Sequence, residues 1–202
     1  IEVGRFFVRE LGRDVWPEKA TSPGDPDDAT DIEVPLARAI EPGESLTIDI
    51  GWTSHLPTVT LRTGYSGSFH MVAQWFPKLA RLEPDGTWSH FPFHRLSEFY
   101  ADYGTYDVTI VAPRSFTIGA VGALVSEGPA PDAPSSPPPP EPSPAASPPT
   151  PSAAGSSGAP PSSDGVDETV RAVPVLRDRR RFVAEDVHDF AFAAWDRFRS
   201  LE

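Results

Sequence analysis

The chain of 202 residues contains no cysteine, no asparagine and only two lysines. Without cysteine it forms neither a disulfide nor a thiolate metal site, which leaves both oxidising and reducing compartments open. No apolar run is long enough to cross a bilayer, so we expect no membrane segment. The formal net charge of −12 repels phosphate backbones, and we therefore expect no nucleic-acid partner.

The sequence patterns of known catalytic centres are also missing. None of the five histidines lies in a His-Glu-x-x-His arrangement, which places two zinc ligands on one helix face. His90 and His94 have the spacing of one helical turn, but Pro92 between them disfavours a helix. No serine lies in a Gly-x-Ser-x-Gly elbow, and no Gly-rich phosphate loop follows a strand. We expect no catalytic residue, no metal site and no cofactor in this chain.

Two groups of charged residues could have a chemical role, but their sequence context predicts a structural one. Glu98, Asp102 and Asp107 resemble paired carboxylates for acid–base work, yet acids near a strand edge are more often solvated or bonded to backbone amides. A basic run surrounds Asp178 at positions 177, 179, 180 and 181. On an acidic chain, this run is typical of a solvated strand face with ion pairs rather than an anion site.

A segment rich in proline, serine and alanine divides the chain. Residues 129–163 contain only Pro, Ser, Ala, Gly and Thr besides Asp132 and Glu141, so they have no large side chain to bury. We divide the chain into the main part of a β domain (1–128), a disordered Pro-rich insert (129–163) and strands that return to the β domain (164–202). The insert is either a tandem-domain linker or, as we prefer, an enlarged loop after which residues 170–176 pair with the strand ending near Val125. Doubling the length of such a loop costs only about 0.6 kcal/mol.

The ordered remainder predicts strands. Residues 46–52 alternate between apolar side chains and polar residues or glycine, which places one face in a core and the other in water. Residues 106–110 and 116–120 alternate in the same way around a Pro-Arg-Ser turn, which predicts a β-hairpin. Residues 1–11 and 31–36 make further strands. The predicted fold is all-β, an antiparallel β-sandwich or saddle with a long disordered loop.

Two segments do not fit a simple strand pattern. Residues 96–103 suggest one helical turn capped by Ser97. Near the end of the chain, Phe190, Ala194 and Phe198 have the four-residue spacing of an amphipathic helix. A family resemblance favours extended structure there, and we expect an extended chain through about Phe192.

Several short blocks occur in the order and spacing of a known family signature. The blocks are Pro42-Gly43-Glu44, Leu61-Arg62-Thr63-Gly64 with Phe69, Gln74-Trp75-Phe76-Pro77-Lys78, Trp88, Glu98-Phe99-Tyr100, Asp102-Tyr103-Gly104-Thr105-Tyr106-Asp107-Val108, Pro113, Ala120-Val121-Gly122 and Val187-His188-Asp189-Phe190-Ala191-Phe192. Together they resemble the amino-terminal β domain of bacterial M1 (gluzincin) zinc aminopeptidases. Phe192 stands where that family more often has tryptophan.

The resemblance implies a role without chemistry of its own. The chain is then an excised piece whose residues 164–202 lead into a catalytic domain outside it. The expected partners are that zinc-binding domain of the parent protein and, through the parent, a peptide substrate. Trp75, Phe76 and Trp88 are expected to fill the core. In some family members a polar residue before the strand-ending proline holds the substrate's amine, so Ser68, His70 and Gln74 are the candidates for contact with the substrate cleft. The alternative for each is a side chain bonded within the domain.

The composition is also compatible with functions other than that of a peptidase domain. One is a β-sandwich carbohydrate-binding or adhesion module, with the Pro-rich segment as a stalk and Trp52, Trp75 and Trp88 as a stacking platform. Exposure of these tryptophans in one row distinguishes that reading from a buried core. Another is a structural or partner-docking domain of a larger assembly.

Overall fold

The structure is a computed structural model that describes residues 1–21, 29–59, 62–89, 100–131 and 175–199. Short 3₁₀ turns follow the first two strands at Arg9–Leu11 and Trp16–Glu18. The strands in these ranges are β1 (Glu2–Val8), β2 (Arg13–Asp14), β3 (Ala20–Thr21), β4 (Ile32–Glu33), β5 (Ile48–Thr53), β6 (Gly64–Ser66), β7 (Phe69–Val72), β8 (Gly104–Pro113), β9 (Thr117–Ala120), β10 (Ala123–Pro129), β11 (Arg177–Val187) and β12 (Phe192–Trp195). No helix in the same ranges is long and apolar enough to cross a bilayer.

The strands form antiparallel sheets, which confirms the predicted fold class. The strand orders are β2-β1-β5, β10-β11-β8 and β6-β7-β12-β9, with β3 and β4 as a separate short pair. The predicted strand at residues 46–52 is β5. In β8, half-buried Tyr106, Val108 and Ile110 alternate with exposed polar neighbours. The period-2 pattern therefore predicted both strands, but burial alternates only in β8, since in β5 Asp49 is half-buried and Trp52 is exposed.

The strands on either side of the Pro-rich segment are neighbours in one sheet. β10 pairs with β11 in antiparallel register, from Ala123 opposite Val183 to Pro129 opposite Asp178. This is the pairing that an enlarged loop requires. The described returning strand, β11, begins at Arg177, and residues 175 and 176 before it are not in a strand, while residues 170–174 of the predicted pairing lie outside the described residues. Residues 132–174, which include most of the predicted insert, lie outside the described residues.

The predicted hairpin of residues 106–110 and 116–120 is wrong. β8 pairs with β11, whereas β9 pairs with β12 in a different sheet. The turn between them is closed by a hydrogen bond of 3.0 Å from the Phe116 amide to the Pro113 carbonyl oxygen, and it carries the chain from one sheet to the next. Local alternation identifies a strand, but its partner depends on contacts distant in sequence.

The end of the chain is extended, as the resemblance predicted, and the helical alternative is wrong. β12 continues beyond Phe192 to Trp195 and pairs with both β7 and β9. Its inward-facing Ala194 is buried between these strands. The other predicted helical turn lies mostly outside the described residues, and residues 100–103 have no helical structure.

The core in the described ranges consists of a few alanine and valine side chains around two phenylalanine rings. Trp75 and Phe76 are half-buried, but Trp88 is 51% exposed, so its predicted place in the core is wrong. Trp88 lies on an isolated bridge to Leu82 around the Asp85 turn, outside the sheets. The buried residues are Val8, Val15, Val72, Ala73, Phe182, Ala184, Phe190 and Ala194.

Candidate functional site

A groove of about 760 Å³ opens between the three larger sheets. Four residues on two paired strands form one side of it: His70 and Val72 of β7 with Phe192 and Ala194 of β12. Residues 50–52 of β5 and 110–113 of β8 line it as well. A volume of this size lies within the range of small-molecule and peptide sites, roughly 300 to 1,000 Å³.

The pattern of lining residues distinguishes the faces of strands from their edges. Successive side chains of a strand point to opposite faces, so a strand that presents a face contributes every second residue. β7 and β12 contribute in this way. In contrast, β5 contributes three consecutive residues and β8 contributes four. The groove therefore has a sheet face as its floor and two strand edges as its walls.

The side chains around the groove are almost free of charge. None of the described residues that line it is Asp, Glu, Lys or Arg, and His70 is the only titratable group among these residues. Trp52 and Trp75 meet at the groove with ring centroids 6.0 Å apart and a tilt of 46°. The indole nitrogen of Trp52 and the hydroxyl of Ser54 both donate to the Trp75 carbonyl oxygen, at 3.2 and 2.5 Å. These bonds join β5 to the segment after β7.

The structure separates the three residues predicted to touch a substrate cleft. His70 lies on the floor of the groove, with its Nδ1 atom 2.9 Å from the Ser68 carbonyl oxygen. The Ser68 hydroxyl points elsewhere, donating to Asp196 at 2.6 Å and accepting from the indole of Trp195 at 3.1 Å. Gln74 lies outside the groove. All three residues thus have a hydrogen-bond partner within the chain, while His70 also lines the groove and Gln74 also lines a smaller pocket beside Lys78.

Gln74 belongs to a second cluster, which is centred on Asp189. Its side-chain nitrogen donates to one carboxylate oxygen of Asp189 at 3.0 Å. The other oxygen accepts from the backbone amide of Phe190 at 2.8 Å and lies 3.0 Å from the Lys78 ammonium. The Lys78 and Asp189 side chains are only 14% and 16% exposed. Gln74 also has a left-handed backbone, with φ of 55°, a conformation that the surrounding contacts must stabilise.

Tyr106 lies above this cluster. Its ring stacks on Phe190, with centroids 6.4 Å apart, and its hydroxyl donates to the His188 carbonyl oxygen at 3.4 Å. Partial burial raises the pKa of the Tyr106 phenol, and the negative charge of Asp189 raises it further. Both effects disfavour the phenolate, so Tyr106 is a neutral packing residue near neutral pH.

Ion pairs form along β11, as predicted, but the run does not lie on one solvated face, because the Arg180 and Asp178 side chains are only 11% and 14% exposed. Arg181 binds Asp107 with bonds of 2.7 and 2.5 Å, and Arg180 lies 2.7 Å from Glu127. Asp178 in turn accepts from Arg114 at 3.0 Å. The hydrogen bond from Arg181, followed by its charge, holds the pKa of Asp107 below its ordinary value. Asp107 is therefore a structural carboxylate on an exposed strand face.

Within the five described ranges, no three His, Asp or Glu side chains are grouped to hold a metal. His90, His94 and Glu98 lie outside those ranges. Of the three tryptophans considered as a stacking platform, Trp52 and Trp88 are 37% and 51% exposed, whereas Trp75 is half-buried and packs edge-on against Phe76 and Phe192. Gln74 therefore belongs to a different network from Ser68 and His70, which are joined through the Ser68 carbonyl oxygen.

Sequence reasoning missed the groove and the central position of Asp189. No local pattern indicates the groove, because it depends on which strands remain at the sheet edges. A signal for Asp189 was present, since this acid directly precedes the apolar run Phe190-Ala191-Phe192. Comparison of the chain with protein-family models, curated proteins and solved structures found no match in any of the three.

Proposed function

We propose that this chain is the non-catalytic amino-terminal β domain of an M1-like zinc aminopeptidase. In this role it packs against the catalytic domain of the parent protein and walls the cleft that receives a peptide substrate. The zinc ion belongs to the catalytic domain, outside these residues. The contribution of this chain is a rigid surface with correctly placed side chains, not a proton transfer or a metal ligand.

The observation that carries the proposal is the meeting of three distant sequence blocks. The blocks at residues 74–78, 102–108 and 187–192 were selected by resemblance alone, yet they pack together around Phe190. Trp75 donates its indole hydrogen to the Phe190 carbonyl oxygen at 2.9 Å. Phe76 lies edge-on to Tyr106 at 5.8 Å, and Tyr106 stacks on Phe190. Sequence blocks that are distant along the chain but pack into one unit are expected in a domain whose role is structural.

The three polar residues before Trp75 that are candidates for substrate contact differ in their surroundings. His70 presents its ring to the groove, and we propose it as the primary cleft residue. We also propose that Ser68 and Gln74 contact the substrate cleft, in addition to forming their hydrogen bonds to Asp196 and Asp189. The rival carbohydrate-binding reading receives less support, because Trp75 is engaged with Phe190 and Phe192.

The experiment is to clone the parent gene and measure aminopeptidase activity with and without this domain. We expect a His-Glu-x-x-His motif with a downstream Glu in the residues that follow, and peptidase activity that depends on bound zinc. Residues 1–202 alone should hydrolyse no aminoacyl anilide. A parent gene without that motif would overturn the proposal.

Three variants of the parent test the cleft assignment: Ser68→Ala, His70→Ala and Gln74→Ala. A cleft residue should change KM or kcat while the melting temperature of the parent stays near that of the wild type. Thr117→Ala, at an exposed residue of β9, provides a control outside the groove. Unchanged KM and kcat in all three variants would show that the cleft assignment is wrong.

A further inference from the structure

We propose that the groove binds an uncharged, apolar stretch of the peptide substrate, and that the Nε2 atom of His70 accepts a hydrogen bond from one backbone amide of that stretch. This inference rests on the proposed function, because it takes the peptide substrate from it. It deepens that function by naming the class of peptide and the polar bond that orients it. The charged amino terminus of the peptide lies outside the groove.

The position of one ring hydrogen of His70 follows from its hydrogen bond. Nδ1 lies 2.9 Å from the Ser68 carbonyl oxygen. A carbonyl oxygen can only accept, so Nδ1 carries the hydrogen and donates it. In the neutral ring, the lone pair then lies on Nε2. Within the described residues the ring forms no second hydrogen bond, so Nε2 remains available as an acceptor.

Aromatic packing holds this acceptor at the groove. Tyr65, the partner of His70 on β6, stacks on the imidazole with ring centroids 6.2 Å apart and a tilt of 29°. The Phe116 ring lies 5.9 Å away at 53°, and both His70 and Phe116 line the groove. In an imidazole, Nε2 is farther from the backbone than Nδ1. A ring fixed by its neighbours loses little freedom on binding, so it can orient a ligand at small cost.

The lining of the groove decides which donor His70 can accept. The chain has 29 acidic residues, but none of the described lining residues is acidic. An ammonium group in the groove would lose its hydration without gaining an anion, which is strongly unfavourable. A backbone amide is an uncharged donor, and a hydrogen bond to Nε2 satisfies it. We therefore expect His70 to bind an interior amide of the peptide rather than its amino terminus.

The same lining selects the side chains beside that amide. Trp52 is 37% exposed, and Ile50, Ile110 and Phe192 are half-buried. An apolar side chain of the peptide would remove more of this surface from water, which the hydrophobic effect favours. A charged side chain would be left without a partner among the described lining residues. The predicted ligand is therefore a peptide with uncharged, apolar residues around one free backbone amide.

The test measures peptide binding to the parent protein by calorimetry, after a chelator has removed its metal so that no peptide is cleaved. The probe is the tetrapeptide amide Ala-Leu-Phe-Leu. We expect it to bind at least about tenfold more tightly than the same peptide with Asp in place of Phe. N-methylation then removes the amide hydrogens of the probe one at a time. At one position, this change should weaken binding about three- to tenfold, the effect of one neutral hydrogen bond.

Two replacements of His70 in the parent separate the hydrogen bond from the packing. His70→Phe keeps a ring beside Tyr65 and Phe116 but has no acceptor, whereas His70→Gln supplies an amide oxygen near the position of Nε2. The sensitive N-methylation should have no effect in His70→Phe and should weaken binding in His70→Gln. His55→Phe is the matched control, because His55 is 75% exposed and lies outside the groove. That variant should keep the wild-type profile.

An identical N-methylation profile in the wild type and in His70→Phe would overturn the proposal, as would tighter or equal binding of the Asp peptide. Equal losses at every N-methylated position of the wild type would also overturn it, and this measurement needs no variant that might misfold. A parent without peptidase activity that shows the His70-dependent profile would refute the proposed function while supporting the peptide site. An active aminopeptidase whose binding ignores N-methylation would do the reverse.

Discussion

Trp75 and Phe190, 115 positions apart in the chain, are joined by a hydrogen bond of 2.9 Å from the indole nitrogen to the backbone carbonyl oxygen. The Phe190 ring is fully buried, and the Trp75 ring lies edge-on to Phe192 at 5.8 Å. The bond thus connects the segment after β7 to the lead-in of β12. It satisfies a backbone carbonyl that would otherwise be buried without a partner.

Replacement of Trp75 by alanine should destabilise the domain by about 3 kcal/mol, because it removes a large packed ring and a hydrogen bond. The matched change Trp88→Ala should cost less than about 1 kcal/mol, since that ring is 51% exposed. Urea unfolding followed by circular dichroism measures both. Equal losses would show that Trp75 does not anchor the core.

Asp189→Asn should lower the free energy of unfolding by about 2 to 3 kcal/mol. The change leaves the mostly buried ammonium of Lys78 without an anion, although the amide can still bond Gln74. Asp102→Asn is the control, because Asp102 is 68% exposed and lies 4.0 Å from Arg81. That variant should fall within about 0.5 kcal/mol of the wild type by chemical denaturation.

Gly122→Ala should destabilise the domain by about 2 kcal/mol or more. Gly122 has φ of 87°, and an added Cβ would clash with the Val183 carbonyl and lie 2.8 Å from the Ala184 Cβ. Gly119→Ala in β9 is the matched control, because open space surrounds its position and its φ is not left-handed. A melting temperature unchanged in Gly122→Ala would contradict the close approach of β11.

The contribution of the Asp107–Arg181 ion pair to the free energy of unfolding should disappear in acid. The pKa of Asp107 in the folded chain lies below its ordinary value of 3.8, so folding favours the charged carboxylate. Its stabilisation is complete above the ordinary pKa and is lost as the pH falls through the folded value. The difference in unfolding free energy between wild type and Asp107→Asn should therefore be present at neutral pH and vanish in strong acid. High salt should shrink it, since the pair is exposed.

Much of the fold was predictable because alternation is a local property. The pattern at residues 46–52 and 106–110 predicted the strands β5 and β8, and in β8 the side chains do alternate between half-buried and exposed positions. The charged run predicted ion pairs on β11, but not that the Arg180 and Asp178 side chains would be mostly buried. The hairpin of β8 and β9 was predicted wrongly, because a short turn is also compatible with a corner between two sheets.

The candidate site was less predictable because its parts come from distant segments. His70 was selected, and it does line the groove, but Ser68 and Gln74 have their polar partners at Asp196 and Asp189. Those partners lie more than 100 residues further along the chain. Neither local spacing nor residue type indicates which of several acids approaches a given amide.

The sequence by itself determined the strand-forming segments, the absence of cysteine chemistry and the low charge of β5 and β8, because these depend only on composition and local periodicity. The tertiary structure decided which strands became sheet edges, which acid joined Gln74 to Lys78, and where a groove remained open. The physical reason is that strand pairing is selected by contacts between distant segments, and loop-closure entropy changes too slowly with loop length to specify the partner.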